Sequence, residues 1–263
     1  MTNADWSPEQ YRKFASERAQ PFHDLLALVQ PGGIRRAVDL GCGPGELTAL
    51  AAQQLSVDEM VGLDNSPSML ASAAEHVGPM VRFEHGDLAR WTSAADVDLV
   101  LASASLHWVP DHAAVLQRWT AALAPGGQLV VQVPANAYMP SHRVADELAH
   151  TERYLSAFDG APPSDPVADN VREPEVYAQL LYDLGFTAQH VRLQVYPHVL
   201  PSSRAVVQWV RGTTLTRFQK ALPAELFEQF VADYEAALLA RIGDRSPFFF
   251  PFRRILFWGR LPG

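Results

Sequence analysis

The strongest chemical signal in the sequence is a run of glycines at alternate positions. The segment from Val38 to Gly45 reads VDLGCGPG and follows a short apolar run. Glycines let a chain bend sharply and come close to a ligand. Such a turn between a strand and a helix is typical of nucleotide-like ligand sites. The residues predicted to contact this ligand are Asp39, Gly41, Cys42 and Gly43.

The spacing of the glycines narrows the kind of ligand. Dinucleotide enzymes use Gly-x-Gly-x-x-Gly to seat a pyrophosphate at a helix N-terminus. This chain has Gly-x-Gly-x-Gly followed by Glu46, and a carboxylate in the first helical turn would repel a pyrophosphate. A ligand with cationic groups and no phosphate fits better, with Asp39 receiving such a group directly or through water. A dehydrogenase, or a tight strand–helix connection without ligand, remains the alternative.

A second acid ends the next apolar run. Asp64 closes that run and is followed by Asn65. A carboxylate has two acceptor oxygens, which match the two vicinal hydroxyls of a ribose. We therefore predict that Asp64 accepts from the sugar hydroxyls and that Asn65 also contacts the ligand. The alternative is that Asp64 caps the helix that begins near Ser66.

Residues at the ends of the third and fourth apolar runs are also predicted to contact the ligand. Asp87 follows the third apolar run and can accept from the adenine amino group, with Leu88 against the ring. The alternative is a turn carboxylate after Gly86. The fourth run ends at Ala102 and Ser103, which are predicted to face the remaining part of the ligand.

These residues need a scaffold in which strand ends meet, and the sequence predicts one. Apolar runs alternate with helical stretches up to residue 134, which indicates a parallel sheet covered on both faces. Pro21 is predicted to interrupt the N-terminal helical segment. The strands are predicted at 36–40, 60–63, 81–84, 97–102, 128–133, 187–196 and 252–259. Beyond residue 134 the helices are predicted at 141–158, 175–184, 201–211 and 224–242, and 160–174 is predicted to be a loop.

Composition excludes several classes of protein. The 263 residues are 48% hydrophobic and 19% charged, which is ordinary for a globular chain. The net charge of −8 and the lack of a basic run argue against nucleic acid. The single cysteine, Cys42, fits a reducing compartment. We predict a cytoplasmic protein with no membrane association and no metal, because the histidines lack a metal-ligand spacing.

Longer segments carry a resemblance to a known family. Residues 35–134 resemble class I S-adenosylmethionine-dependent methyltransferases, and nearly the whole chain resembles the trans-aconitate 2-methyltransferase family. The most specific segment is ASLHWVPDH at 104–112. The chain departs from the family pattern at His107, where relatives usually have Gln, and around 211–218. The other matching segments are WSP at 6–8, the glycine turn at 38–45, GLDNSPSML at 62–70, YPHVLPS at 196–202 and FPFRR at 250–254.

The resemblance implies a fold and a division of the chain. The fold class is α/β, a Rossmann-like sheet, mostly parallel with an antiparallel C-terminal strand, plus N-terminal helices and a helical cap. Residues 1–33 would form an N-terminal helical lid and 34–134 the cofactor-binding core. Residues 135–245 would form helical cap insertions with a sheet strand near 187–196, and 246–263 the strand that completes the sheet.

The resemblance also implies a reaction. S-adenosylmethionine would methylate a carboxylate of trans-aconitate, giving a monomethyl ester and S-adenosylhomocysteine. A carboxylate is already ionised near neutral pH, so no catalytic base or nucleophile is predicted and the protein acts by positioning. A different small acid or a hydroxylated metabolite remains an alternative acceptor. A hydroxyl would need a base, and His107 would then be the candidate. A non-catalytic binding module is the alternative from another class.

A polycarboxylate acceptor needs local donors in an acidic protein. Arginine grips carboxylates in a bidentate geometry, and tyrosine and histidine add further donors. Each of these side chains could instead be an ordinary surface or packing residue. The protein is predicted to be a monomer or a weak homodimer. The substrate-binding candidates are His107, Tyr11, Arg143, Tyr196, Arg211 and Arg253.

Overall fold

The computed structural model describes residues 15–263, with side chains from Ala19 onward. Tyr11 and the aromatic start of the predicted lid lie outside this range. The helices are α1 (Ala15–Leu26), α2 (Glu46–Leu55), α3 (Pro67–Ala73), α4 (His112–Ala121), α5 (Pro140–Ala149), α6 (Glu152–Ala157), α7 (Pro166–Asn170), α8 (Pro174–Asp183), α9 (Ala205–Arg211), α10 (Thr216–Ala221) and α11 (Ala224–Ile242). The strands are β1 (Arg36–Leu40), β2 (Glu59–Asp64), β3 (Val81–His85), β4 (Val97–Ser103), β5 (Leu123–Pro134), β6 (Ala188–Leu200) and β7 (Phe248–Arg260).

Within the described residues these strands form one seven-stranded sheet in the order β3-β2-β1-β4-β5-β7-β6. The pairs from β3 to β5 are parallel, and β7 runs antiparallel to β5. Val38 of β1 pairs with Val61 of β2 on one side and Val100 of β4 on the other. The predicted sheet, mostly parallel with an antiparallel C-terminal strand, is confirmed. The strand order reverses between β1 and β4, so ligands are expected at the carboxyl ends of these two strands.

The central strands are buried because both of their faces are apolar. Leu99 and Leu101 of β4 are fully buried and share a core with Phe22 and Leu25 of α1. Helix α1 continues through Pro21, so the predicted interruption there is wrong. A proline inside a helix costs about 3 kcal/mol, and burial of Phe22 and Leu25 can offset a cost of that size.

The chain divides into two compact units by its contacts. The first comprises Met1–Pro134, Asn170–Gln194 and Arg254–Gly263, and the second comprises Ala135–Asp169 and Val195–Arg253. Residues 170–194, placed in the predicted cap, therefore group with the sheet. Tyr177 of α8 explains this, because it is fully buried and stacks on Phe257 of β7 at 4.6 Å between ring centroids. The roles of lid and cap stay predictions.

The second unit has an aromatic core of its own. Phe230 of α11 meets Tyr154 at 4.9 Å and Phe218 at 4.6 Å between ring centroids. The predicted helix 141–158 is two helices, α5 and α6, separated by a turn in which Thr151 donates to the Leu148 carbonyl. The predicted loop 160–174 contains α7, and α10 was not predicted.

Across residues 15–263, no helix combines the length and the apolar character that crossing a bilayer requires. The same residues bring together no group of three His, Cys, Asp or Glu side chains suited to a metal ion.

Candidate functional site

The glycine turn is tied to the neighbouring strand β2. The N–H groups of Gly41 and Cys42 both donate to the Leu63 carbonyl, at 2.7 and 3.0 Å. Gly41 has φ +88°, and a Cβ at this position would lie 2.2 Å from Cβ of Ser105. Only glycine fits there, because the Ser105 side chain is itself held by its donation to the Leu40 carbonyl. The turn is therefore fixed before any ligand arrives.

Gly43 differs from Gly41 in its surroundings. Its N–H donates to Oδ2 of Asp64 at 2.9 Å. In the described part of the chain, no neighbouring atom lies within 4 Å of the point where its Cβ would be. Gly43 thus leaves free space at the carboxyl edge of the sheet, where a ligand can approach the backbone closely.

Cys42 contributes size rather than reactivity. Burial, with the charges of Asp39 and Asp64, raises the pKa of its thiol far above the ordinary range. The thiol therefore stays protonated and is a poor nucleophile.

Asp39 at the end of β1 is a buried acid with one oxygen engaged. Its side chain is 3% exposed, and its Oδ2 accepts from the Thr48 hydroxyl at 2.6 Å. Its Oδ1 is buried and has no hydrogen-bond partner among residues 15–263. Burial raises the pKa of Asp39 to about 7, and the Asp64 charge acts in the same direction. A cationic group would stabilise the carboxylate form and supply the missing partner.

This raised pKa predicts a pH-dependent stability. The ordinary pKa of 3.8 is raised to about 7 in the fold, so the fold holds the proton more tightly than the unfolded chain. Without ligand, the free energy of unfolding should fall as pH rises from about 4 to about 7, by up to about 1.4 kcal/mol per pH unit from this group. Urea unfolding of the wild type and Asp39→Asn across this window measures it.

Two variants separate this effect from other titrations. Asp39→Asn should remove this part of the pH dependence. Thr48→Val removes the hydroxyl that lowers the pKa of Asp39, so the pKa of Asp39 should rise further in this variant. The stability of Thr48→Val should therefore go on falling to a higher pH than that of the wild type. Identical pH profiles for the wild type and Asp39→Asn would contradict the assignment.

Asp64 at the end of β2 is held by backbone donors. Its Oδ1 accepts from the Ser66 N–H at 2.8 Å and its Oδ2 from the Gly43 N–H at 2.9 Å. Burial raises the pKa of Asp64, and these donors oppose the rise. A carboxylate offers about four acceptor positions, so the backbone donors leave room for the hydroxyls of a sugar. The cap of α3 is Ser66, which accepts from Met69 N–H, while Asn65 is exposed.

Asp87, which follows β3, lies in a turn, in line with the alternative prediction that it is a turn carboxylate. Asp87 is exposed, and its Oδ1 accepts from the Ala89 N–H at 2.9 Å. Leu88 is better anchored, because its carbonyl accepts from the indole N–H of Trp119 at 2.9 Å. The turn therefore holds Leu88 in place, and the adenine contact of Asp87 stays a prediction.

The end of β4 leads into a short 3₁₀ turn that carries His107. Ala102 is fully buried, and the Ser103 hydroxyl accepts from the Gln132 amide at 3.3 Å. His107 is 6% exposed, its ring lies 4.6 Å from that of Trp108, and its carbonyl accepts from the Asn170 amide at 3.0 Å. Both the backbone and the ring of His107 are thus held in place.

His112 supports the segment that follows this turn. Burial lowers the pKa of His112 to about 4, so the ring is neutral. Its Nδ1 lies 2.8 Å from the Tyr177 hydroxyl, which accepts from the Arg172 N–H at 3.2 Å. The hydroxyl proton of Tyr177 is then available to Nδ1, and the pair is structural.

The remaining acceptor candidates lie at separate points of the second unit. Arg143 on α5 is exposed, and Tyr196 on β6 is buried, 6.5 Å from the His198 ring. Arg211 on α9 is paired with Glu228 and lies over the Phe227 ring. Arg253 on β7 lies over the Tyr138 ring, with 4.8 Å between its guanidinium carbon and the ring centroid.

Sequence reasoning missed the small polar residues that support the site. Thr48, Ser105 and Asn170 each make one buried or half-buried hydrogen bond to a site residue or its neighbour. Spacing gives no signal for such residues, because their partners are distant in sequence. Only the family-like segment at 104–112 pointed to the neighbourhood of Ser105.

A family described as a methyltransferase domain matches residues 37–127. The chain is 42% identical over 258 residues to the trans-aconitate 2-methyltransferase of Streptomyces avermitilis, covering 95% of this chain and 94% of that protein. It is 41% identical over 237 residues to the enzyme of the same name from Variovorax paradoxus, covering 88% of each.

Solved structures agree on the fold. The YcgJ protein from Bacillus subtilis aligns with a TM-score of 0.57 at 16% identity, covering 93% of this chain and 99% of that one. Phosphoethanolamine N-methyltransferase 2 from Haemonchus contortus, solved with S-adenosylhomocysteine, aligns with a TM-score of 0.56 at 16% identity. That alignment covers 93% of this chain, which spans about half, 53%, of the longer protein. With its glycine turn, its sheet and this identity over most of its length, the chain belongs to the trans-aconitate 2-methyltransferase family of class I methyltransferases.

Proposed function

We propose that this protein transfers a methyl group from S-adenosylmethionine to a carboxylate of trans-aconitate, giving a monomethyl ester. The observation that carries the proposal is the glycine turn of β1, bracketed by the buried Asp39 and the backbone-held Asp64. The names of relatives at 38–42% identity support the choice of acceptor.

The residues of the turn fit this cofactor. The unpartnered Oδ1 of the buried Asp39 suits the cationic part of the cofactor. The acceptor positions that the backbone donors leave open on Asp64 suit the ribose hydroxyls, and the space beside Gly43 admits the ligand. Leu88 and Asp87 would contact the adenine, and Ala102 and Ser103 the methionine part. When bound, the cofactor supplies an electrophilic methyl group on a good leaving group.

The residues of the protein then act by orienting the acceptor. An acceptor carboxylate is ionised near neutral pH and needs no base. The acceptor oxygen must be held in line with the methyl group, and water must be excluded. In the best intramolecular models, such orientation lowers the activation free energy by up to about 7–11 kcal/mol. His107, fixed by Asn170 and packed on Trp108, would donate to the acceptor. A hydroxyl acceptor would instead use His107 as the base.

A methyl-transfer assay tests the proposal. Transfer of a labelled methyl group is measured with trans-aconitate, cis-aconitate, citrate and isocitrate, and the product is identified as an ester by its lability to base. We expect trans-aconitate to have the highest kcat/KM. Cofactor binding without transfer to any of these acids would contradict the proposal and favour a binding module. Transfer to a hydroxyl, giving a base-stable ether, would contradict carboxyl methylation.

A further inference from the structure

The turn between β4 and α4, residues 104–111, begins and ends in a strained backbone conformation. Ala104 has φ +53° and Asp111 has φ +54°. This left-handed region is unfavourable for residues other than glycine and, to a lesser degree, asparagine and aspartate. Asp111 is supported by its own side chain, which accepts from the Ala114 N–H as the cap of α4. Ala104 has no polar side chain, so the surrounding structure must hold it in place.

Contacts from the end of α7 and from α8 hold this turn. The Asn170 amide donates to the His107 carbonyl at 3.0 Å. The Tyr177 hydroxyl lies 2.8 Å from Nδ1 of His112, the residue that follows the turn, and the two rings are stacked with 5.8 Å between their centroids. Tyr177 is itself fully buried. All four residues belong to the first unit, so the turn is fixed from within that unit.

Ser105 connects this turn to the glycine turn. Its carbonyl accepts from the Trp108 N–H at 3.1 Å, which closes the 3₁₀ turn, and its hydroxyl donates to the Leu40 carbonyl. A Cβ on Gly41 would lie 2.2 Å from the Ser105 Cβ, so Ser105 packs directly against the Gly41 backbone. Whatever holds the 3₁₀ turn therefore also holds Ser105 against the candidate cofactor site.

We propose that Asn170 and Tyr177 are positioning residues for cofactor binding. They hold the strained turn in place and so keep Ser105 packed against Gly41. Without these contacts, Ala104 would relax toward negative φ and draw Ser105 away, and the glycine turn would lose part of its support. The inference rests on the proposed function, because it takes the glycine turn as the S-adenosylmethionine site.

Calorimetry with S-adenosylmethionine tests the role of Asn170. Asn170→Ala removes the donor and should raise Kd about three- to tenfold, the range expected for the loss of one hydrogen bond. Asn170→Asp keeps the size, loses the donor and places a negative charge against the His107 carbonyl, so it should raise Kd by about tenfold or more. Gln189→Glu is the control, because it adds the same charge at an exposed position of β6. It should bind the cofactor as the wild type does.

Amide hydrogen exchange gives a readout that a general loss of stability would not produce. The N–H groups of Trp108 and Val109 donate within the 3₁₀ turn. Both should exchange faster in Asn170→Ala and in Tyr177→Phe, the second of which keeps the buried ring. Leu101, fully buried in β4, should exchange as in the wild type. Faster exchange at all three amides would indicate global destabilisation and would contradict a positioning role.

Ala104→Gly tests whether strain is what the two contacts oppose. Glycine adopts positive φ without a steric penalty, so this substitution removes the tendency of the turn to relax. In the wild-type background it should change Kd by less than about threefold, because the contacts already hold the turn. Combined with Asn170→Ala, it should recover most of the lost affinity. Equal effects of Ala104→Gly in the two backgrounds would overturn the inference.

Failure of the inference and failure of the proposed function remain distinguishable. If the wild type binds no S-adenosylmethionine, both fail. If the wild type binds it and both Asn170 variants bind it equally well, only the positioning role fails. If the wild type methylates none of the acids while the variants behave as stated, the proposed function fails and the positioning role stands, since affinity and exchange are measured without an acceptor.

Discussion

Asp64→Asn is expected to weaken S-adenosylmethionine binding by more than a hundredfold. The proposed contacts are two hydrogen bonds from ribose hydroxyls to an ionised carboxylate, and bonds to charged groups contribute about 1.5–3 kcal/mol each. An asparagine also presents an NH₂ group, which cannot accept, to one of the two backbone donors that now hold the carboxylate. Isothermal titration calorimetry with the cofactor measures the affinity.

A neighbouring acid provides the control for this variant. Asp58 lies just before β2 and is exposed, so Asp58→Asn should bind the cofactor as the wild type does. Unfolding of Asp64→Asn in urea should show a loss of about 1–3 kcal/mol from the unsatisfied backbone donor, which leaves a folded protein to assay. An affinity within threefold of the wild type would rule out Asp64 as the ribose acceptor.

Gly41→Ala is expected to lower the free energy of unfolding by about 3–5 kcal/mol. The new Cβ would lie 2.2 Å from Cβ of Ser105, and overpacking of this kind costs about 1–3 kcal/mol. The φ of +88° adds strain of about 1–3 kcal/mol for a residue with a side chain. Cofactor binding should fall with it, because the backbone N–H of Gly41 must leave the Leu63 carbonyl for the clash to be relieved.

Two companion variants separate the clash from the strain. Gly43→Ala also has positive φ, +56°, but meets no described atom within 4 Å, so it should cost only about 1 kcal/mol. Gly41→Ala combined with Ser105→Gly removes the Cβ that causes the contact and should recover part of the loss. Equal destabilisation by Gly41→Ala and Gly43→Ala would show that strain alone, and not packing against Ser105, determines the effect.

The sheet could be predicted because its signals are local. Each apolar run up to residue 134 is separated from the next by a helical stretch, and the glycine turn, Asp64 and Ser103 all stand at strand ends. Parallel strands bring such ends to one edge. The strand ends that carry the candidate cofactor residues were therefore predictable, whereas the oxygens of Asp39 and Asp64 that are already engaged are seen only in the structure.

The acceptor side was less predictable because its signals are not local. The amide of Asn136 donates to the carbonyl of Arg253, 117 residues away, and no spacing rule links the two. The sequence gives no reason to prefer Arg253 to Arg211 as an acceptor-binding residue. In the structure, Arg211 is paired with Glu228, whereas Arg253 has no carboxylate partner among the described residues. Whether an arginine is already neutralised depends on tertiary contacts. The continuity of α1 through Pro21 has the same origin, since packing overrides local propensity.

The burial of Asp39 has a consequence for how cofactor binding is measured. With a pKa of about 7 before the ligand arrives, about half of the molecules carry a proton on this carboxyl at pH 7. A cationic ligand favours the charged form, so binding at that pH expels about half a proton into the buffer. The heat of binding then includes the buffer's own ionisation enthalpy and differs between phosphate and Tris. That difference counts the net number of protons released on binding, to which the buried Asp39 contributes.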